Sequence, residues 1–209
     1  MRYEIVRMEV GKLGANCYFV VDTASKEAII VDPGGSYNEI VEQIEKLAIE
    51  VKALVLTHGH CDHIAAAKAL KENYNLDVYI HAADKSMLES NEKSLAKALH
   101  LGDVQVENSK ELICNVPLRF GEIEIKVLHT PGHTPGSVSI VGEDFVLTGD
   151  TLFRQSIGRT DFEGGSYSEI EHSITQVLYK LPDHFLVYPG HGGETTIGFE
   201  KKNNSFFRG

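Results

Sequence analysis

Three imidazoles and a carboxylate fall within the stretch Thr57-His58-Gly59-His60-Cys61-Asp62-His63. Neutral imidazole nitrogen and carboxylate oxygen are ligands of the borderline divalent metals, zinc above all. His58 and His60 are two apart on an extended loop, so both can point to one side. Asp62 and His63 are adjacent and can point another way. One short loop can therefore serve two ions, and four such groups this close together speak against an incidental polar loop.

The stretch is not a complete site, and three later segments end in the same manner. Lys126 to His129 leads into Thr130-Pro131-Gly132-His133-Thr134-Pro135-Gly136-Ser137. Phe145 to Thr148 leads into Gly149-Asp150, and Phe185 to Tyr188 into Pro189-Gly190-His191-Gly192-Gly193. Glycine beside each polar residue lets the backbone turn sharply. The candidate ligands are then His58, His60, Asp62, His63, His133, Asp150 and His191. Two tetrahedral ions with three protein ligands each and a shared water need about this number. A carboxylate can bridge two ions, and Asp150 is the candidate bridge.

Such residues converge only if strands carry them to one edge. Val51 to Leu56 is β-branched, apolar and of strand length, and Ile64 to Leu70 is rich in helix formers. The histidine stretch thus sits between a strand and a helix, at a strand's carboxyl end, where open α/β sheets place their ligands. Residues 3–10 read as a strand, and Cys17–Asp22 with Glu27–Asp32 as a hairpin. Ser36 and Glu39 form a capping-box pattern opening a helix with Ile40, Val41, Ile44 and Leu47 on one face. The helix after the histidines runs to about Tyr74, followed by a strand over 77–81 and a helically spaced stretch over 83–100. The strand-helix alternation implies parallel pairing. Residues 101–115 show no pattern. Strands over 117–120, 122–129, 137–141 and 145–148 follow, then a Gly-rich loop over 154–166. Ser168 to Leu181 is helical, stopped by Pro182. A strand over 185–188 and a short helix within 194–209 complete the chain, which reads as one α/β domain.

The chain has 209 residues, of which 42% are apolar, enough for a sizeable core. Its formal charge of −10, with no basic run, argues against a nucleic-acid partner held through phosphates. No apolar run is long enough to span a bilayer, and the first residues lack the apolar core of a signal peptide. Cys17, Cys61 and Cys114 are scattered and odd in number, which suits reduced thiols in the cytoplasm.

The motifs THGHCDH, TPGHTPGS, LTGDTLF and YPGHGG resemble those of the metallo-β-lactamase superfamily over nearly the whole chain. The resemblance implies an αβ/βα four-layer sandwich, two mixed sheets with helices on their outer faces. It implies that His58, His60 and His133 hold one metal, that Asp62, His63 and His191 hold the second, and that Asp150 bridges. Gly149 to Phe153 and Ile157 to Phe162 resemble the glyoxalase II branch. Thr196, Gly198, Glu200 and Asn204 resemble its short relatives, which lack the helical domain that helps to hold glutathione. The persulfide dioxygenases share the Gly-Arg-Thr-Asp-Phe stretch, and their single iron would map onto His58, His133 and Asp150.

The expected chemistry is hydrolysis of a small-molecule thioester by a metal-bridging hydroxide. The cofactors are two divalent ions, zinc first, with iron or manganese as alternatives. Asp62 would orient the attacking hydroxide. A thiol, of pKa ~8.5, leaves far more readily than an alcohol. There is no Gly-x-Ser-x-Gly elbow to supply a side-chain nucleophile instead. Arg159 either holds an anionic substrate or pairs with Asp161. Asp32 reads chiefly as a turn residue, with support of the ligands as the alternative. Cys61 fills a variable position of the motif. His81, His100, His129, His172 and His184 read as structural or exposed. A metal-stabilised scaffold would use closed sites with four protein ligands per ion, which seven shared ligands do not provide.

Overall fold

The computed structural model describes residues 2–209, and its layers follow from how the strand side chains alternate. In β2 (Ala15–Asp22) every residue is buried, so both faces of the strand are covered and the sequence runs apolar without alternating. Phe19 and Val21 point to one side, into a cluster with Ile40, Ile44 and Leu70. Tyr18 and Val20 point to the other, into a cluster with Ile123, Val127, Ile140 and Leu147. The period of two along a strand thus builds two separate cores from one element.

The first sheet has the order β1-β2-β3-β4-β5-β6. Its strands are β1 (Tyr3–Val10), β2, β3 (Glu27–Val31), β4 (Glu50–Val55), β5 (Asp77–Ile80) and β6 (Lys110–Glu111). The first three pair antiparallel and the last four parallel, which makes the sheet mixed. Its outer face carries α1 (Tyr37–Leu47) and α3 (Ala67–Tyr74), which bury Ile40, Ile44, Ala67 and Leu70.

The second sheet has the order β14-β13-β10-β9-β8-β7. It is formed by β7 (Pro117–Phe120), β8 (Ile123–His129), β9 (Val138–Val141), β10 (Phe145–Gly149), β13 (Leu186–Pro189) and β14 (Thr195–Thr196). Here β10 and β13 are parallel and every other pair antiparallel. Val146 and Val187 on its outer face pack with Ile170, Ile174, Leu178 and Ile197. The sheets face each other across the middle cluster, giving the four-layer α/β sandwich that the family resemblance implied. The carboxyl ends of β3, β4, β8, β10 and β13 carry the site.

Three local expectations are corrected. Ser36 does not cap α1, because it sits at φ 50, in the left-handed region, and its Oγ accepts from the Gly11 N–H instead. The helix expected to Tyr74 is broken, with α2 (Cys61–Ile64) separate from α3. The Ala66 N–H leaves the helical ladder for the Pro33 carbonyl at 2.9 Å. Residues 83–100 form only a tight turn at Ala82–Asp84 and α4 (Lys85–Leu88). Further on, Leu95 at φ 68 and a Ser94 carbonyl engaged by the Cys61 N–H at 2.8 Å keep the stretch from continuing as a helix.

The helical run expected over 168–181 begins as α5 (Tyr167–His172), capped by Ser166, and then widens over residues 173–177 and tightens over 178–180. The Ser173 hydroxyl donates to the Pro131 carbonyl at 2.7 Å, tying this helix to the loop that bears His133. A small hairpin, β11 (Leu152–Phe153) with β12 (Ser156–Ile157), leads into the Gly-rich loop and takes up its first residues. The chain closes with α6 (Ile197–Asn203). Among the described residues no helix is long and apolar enough to cross a membrane.

Candidate metal centre

Thr57 continues β4 into the loop and is pinned at once. Its N–H donates to Asp32 Oδ1 at 2.7 Å and its hydroxyl to Asp32 Oδ2 at 2.6 Å. Asp32 ends β3 at φ 52, so it is a turn residue and also a support for the site. Its Oδ2 also faces His63 Nδ1 at 3.0 Å, which orients the His63 ring. The alternative role for Asp32 is therefore realised together with the expected one.

All seven candidate ligands come together. His58, His60 and His133 form one buried group whose ring nitrogens lie within 4.8 Å of one another. Asp62, His63 and His191 form a second group of the same span. In the first, His60 Nδ1 and His133 Nε2 face each other at 2.9 Å. In the second, Asp62 Oδ2 lies 3.3 Å from His191 Nε2 and 3.8 Å from His63 Nε2. Asp150 stands between the two. Its Oδ1 is 3.4 Å from His63 Nε2, and its Oδ2 is 3.6 Å from His133 Nε2 and 3.7 Å from His191 Nε2.

Whether these groups suit metal ions is decided by what they lack. His58 Nε2, His63 Nε2 and Asp150 Oδ1 are buried without a hydrogen-bond partner. An unpaired buried polar atom costs about 1–3 kcal/mol, and three converging on one spot call for a common cation. The opposite ring nitrogens are already engaged. His58 Nδ1 lies 3.1 Å from the Thr57 hydroxyl and His63 Nδ1 faces Asp32, while in the first group His133 Nδ1 faces the Arg159 carbonyl at 2.7 Å. A donor bond on one ring nitrogen leaves the other bare toward the ion, the arrangement usual for metal-bound histidine. The residues fit two divalent ions.

The electrostatics of the metal-free chain agree. Burial, with the neighbouring histidines, pushes His58 well below the ordinary histidine value and takes His60 down to about 3. Both rings are therefore neutral and able to bind. Burial would lower His63 too, but Asp150, Asp62 and Asp32 outweigh it and raise it to about 10. Burial acts to raise Asp62, yet His63 and His191 hold it well below the carboxylate range. The second group is thus an imidazolium among carboxylates, a charge pattern that a metal cation can replace.

Glycines permit this crowding. A Cβ at Gly34 would overlap the Asp62 carbonyl oxygen, and one at Gly190 the Asp150 carboxylate. We expect Gly34→Ala to destabilise the fold by about 2 kcal/mol or more, seen as a Tm lower by roughly 4–8 °C in a thermal melt. An unchanged Tm would mean that the turn at residue 34 can move freely away from Asp62.

Arg159 donates through Nε and Nη2 to Asp161 at 2.9 and 2.8 Å, and its guanidinium lies over the Phe162 ring at 4.2 Å. Its carbonyl, not its side chain, touches the site. Cys61 is buried in the outer core, where burial pushes its thiol up to about 11. His129 donates to the Pro135 carbonyl and stacks on His81 at 4.4 Å, outside the ligand groups. His100, His172 and His184 are exposed.

The sequence reading missed Asp84. This carboxylate is fully buried and accepts from the Gly59 N–H, the Thr134 hydroxyl and the Gly136 N–H. It lies in a mixed-charge stretch with no spacing to mark it. The carbonyl of Arg159 was missed because a backbone group leaves no signature in side-chain type.

Comparison with known proteins agrees with this geometry. The family model described as the metallo-beta-lactamase superfamily matches residues 10–191. A probable metallo-hydrolase, YqgX of Bacillus subtilis, is 37% identical, with 97% of each chain covered. The hydroxyacylglutathione hydrolase GloC of Haemophilus influenzae is 36% identical, covering 91% of this chain and 92% of its own. The crystal structure of the BLEG-1 B3 metallo-beta-lactamase superposes with a TM-score of 0.93 at 34% identity, covering 99% of this chain and 100% of the other. TTHA1623, solved in a di-iron-bound form, gives 0.87 at 32% identity, covering 97% and 100%. Two mixed sheets under helices, a histidine- and aspartate-lined edge that fits cations, and a family match over most of the chain lead to one conclusion: this protein belongs to the metallo-β-lactamase superfamily.

Proposed function

We propose that the chain is a two-metal hydrolase that cleaves the thioester of a small thiol in the cytoplasm. The observation that carries the reading is Asp150 standing between two three-residue groups, with unpaired buried atoms on both sides. His58, His60 and His133 would hold one ion, Asp62, His63 and His191 the other, with Asp150 shared. When bound, such a pair lowers the pKa of water toward ~7 and polarises a carbonyl.

The chain's own residues do the rest. Asp62, kept ionised by His63 and His191, accepts a hydrogen bond and so orients the attacking water. The Arg159 carbonyl and Asp32 fix the rings of His133 and His63. Phe162, with its ring centre 5.2 Å from that of His60, walls the approach on the first group's side. A thioester suits this site because the chain needs no strong acid to help a thiolate leave. The relationship to a hydroxyacylglutathione hydrolase supports that choice, and the three unpaired cysteines suit a reducing compartment. Zinc is the first candidate ion, and the di-iron form of a relative keeps iron in view.

The test is thiol release from lactoylglutathione and from a simple acyl thioester by the metal-loaded protein. Turnover of either supports the reading. Oxygen uptake on glutathione persulfide by an iron-loaded protein, without hydrolysis, would replace it with a mononuclear dioxygenase using His58, His133 and Asp150. His60→Ala is expected to remove one ion and lower hydrolysis by about 10³-fold or more, or ~4 kcal/mol of barrier. Elemental analysis and thiol release check both parts.

A further inference from the structure

We infer that Asp84 is a positioning residue for the first metal group alone, so that the two ions can be lost separately. The inference rests on the two-ion reading above. His58 and His60 leave the end of β4, whereas His133 lies on the loop after β8. Nothing in the chain order fixes one loop against the other. Asp84 spans them with one carboxylate. Its Oδ2 takes the Gly59 N–H at 3.0 Å, between the two histidines, and the Thr134 hydroxyl at 2.6 Å, next to His133. Its Oδ1 takes the Gly136 N–H at 2.7 Å.

Both backbone donors are glycines for a spatial reason. A Cβ at Gly136 would lie 2.6 Å from Asp84 atoms, and one at Gly59 would lie 2.6 Å from Met87 Cβ. The two loops are pressed onto Asp84 and the turn that carries it. That turn is itself rigid. It follows β5, the Asp84 N–H donates to the His81 carbonyl at 3.0 Å, and the His81 ring accepts from the Ala83 N–H. The Thr134 side of the contact is closed by Ser137, whose Oγ accepts from the Thr134 N–H at 3.1 Å. Asp84 makes no contact with Asp62, His63 or His191. Of these, His63 is held by Asp32, which also bonds to Thr57 and through the Thr57 hydroxyl reaches His58 Nδ1 at 3.1 Å. Residues that hold metal ligands by hydrogen bonds alter affinity by about 10–100-fold when removed. Here the loss should fall on one ion.

The test uses the full-length, metal-loaded protein equilibrated against graded chelator, with metal content counted at each step and cobalt(II) spectra recorded in parallel. Asp84→Asn presents an NH₂ to N–H donors and cannot accept all three bonds. It should release one ion at a chelator strength about 10–100-fold lower than wild type, with the second ion retained and only one component of the cobalt spectrum changed. Loss of both ions together, or no shift in either, would overturn the inference. Should Asp84→Asn not fold, Thr134→Val removes one of the three bonds at equal size and should shift the same single ion by a smaller factor. A uniform shift there would overturn it equally. A wild type that holds only one ion sinks the two-ion reading. The positioning role is then decided by whether that ion leaves earlier from the variant.

Discussion

Asp150→Asn is expected to lower turnover by about 10³-fold or more, equivalent to ~4 kcal/mol of barrier, and to loosen both ions. Its carboxylate faces both groups, with Oδ1 toward His63 and Oδ2 toward His133 and His191. The amide keeps the shape and removes the charge, so steric loss is small. One of its two positions becomes an NH₂ donor aimed where a cation belongs. The effect on turnover should therefore be at least that of a ligand belonging to one group, and both ions rather than one should be loosened. Steady-state kinetics with metal counts on the same sample will check it. Near-normal kcat with two ions retained would show that Asp150 is not shared.

Metal removal should have the largest effect on stability. Ions at a thousandfold excess over Kd add about 4 kcal/mol each. Withdrawing two should lower Tm by roughly 15–30 °C for a chain of this size. The stripped protein should also show a specific pH dependence. His63 sits at about 10 in the fold, against about 6.5 unfolded. Its contribution is complete below about pH 6.5 and is lost as pH rises through 10. His60 works the other way. With a folded value of about 3, it favours the fold above about pH 6.5 and loses that contribution as pH falls toward 3.

Because His63 is protonated at neutral pH without metal and must be neutral to bind it, metal uptake should release about one proton from it. His191, which the Asp62 hydrogen bond and Asp150 raise against the effect of burial, adds a further fraction. Calorimetric titration in buffers of different ionisation enthalpy reads this directly. Uptake with no buffer dependence would contradict the assignment of His63 as a ligand.

The legible parts of the fold were those with a period. β2 to β5 and β7 to β10 announced themselves by apolar runs bounded by glycine or acidic turns, and α1 by Ile40 and Ile44. The site was legible because its ligands are concentrated in type and each follows a strand. What escaped has a common cause. Ser36 has the right residue type for a cap, but its backbone is left-handed and its hydroxyl is used by Gly11. Residues 83–100 have helical spacing, yet their backbone groups are claimed by Cys61 and by other loops. Asp84 and the Arg159 carbonyl act through contacts between segments far apart in the chain, which no local pattern records. Arg159 drew attention by charge, and its guanidinium makes the pairing with Asp161 that the sequence offered as one of its two roles.

The most direct measurement is anomalous diffraction at the metal absorption edge from crystals of the metal-loaded protein. Two peaks are expected, one enclosed by His58, His60 and His133 and the other by Asp62, His63 and His191, with the Asp150 carboxylate between them. A single peak, or peaks outside these side chains, would contradict the account.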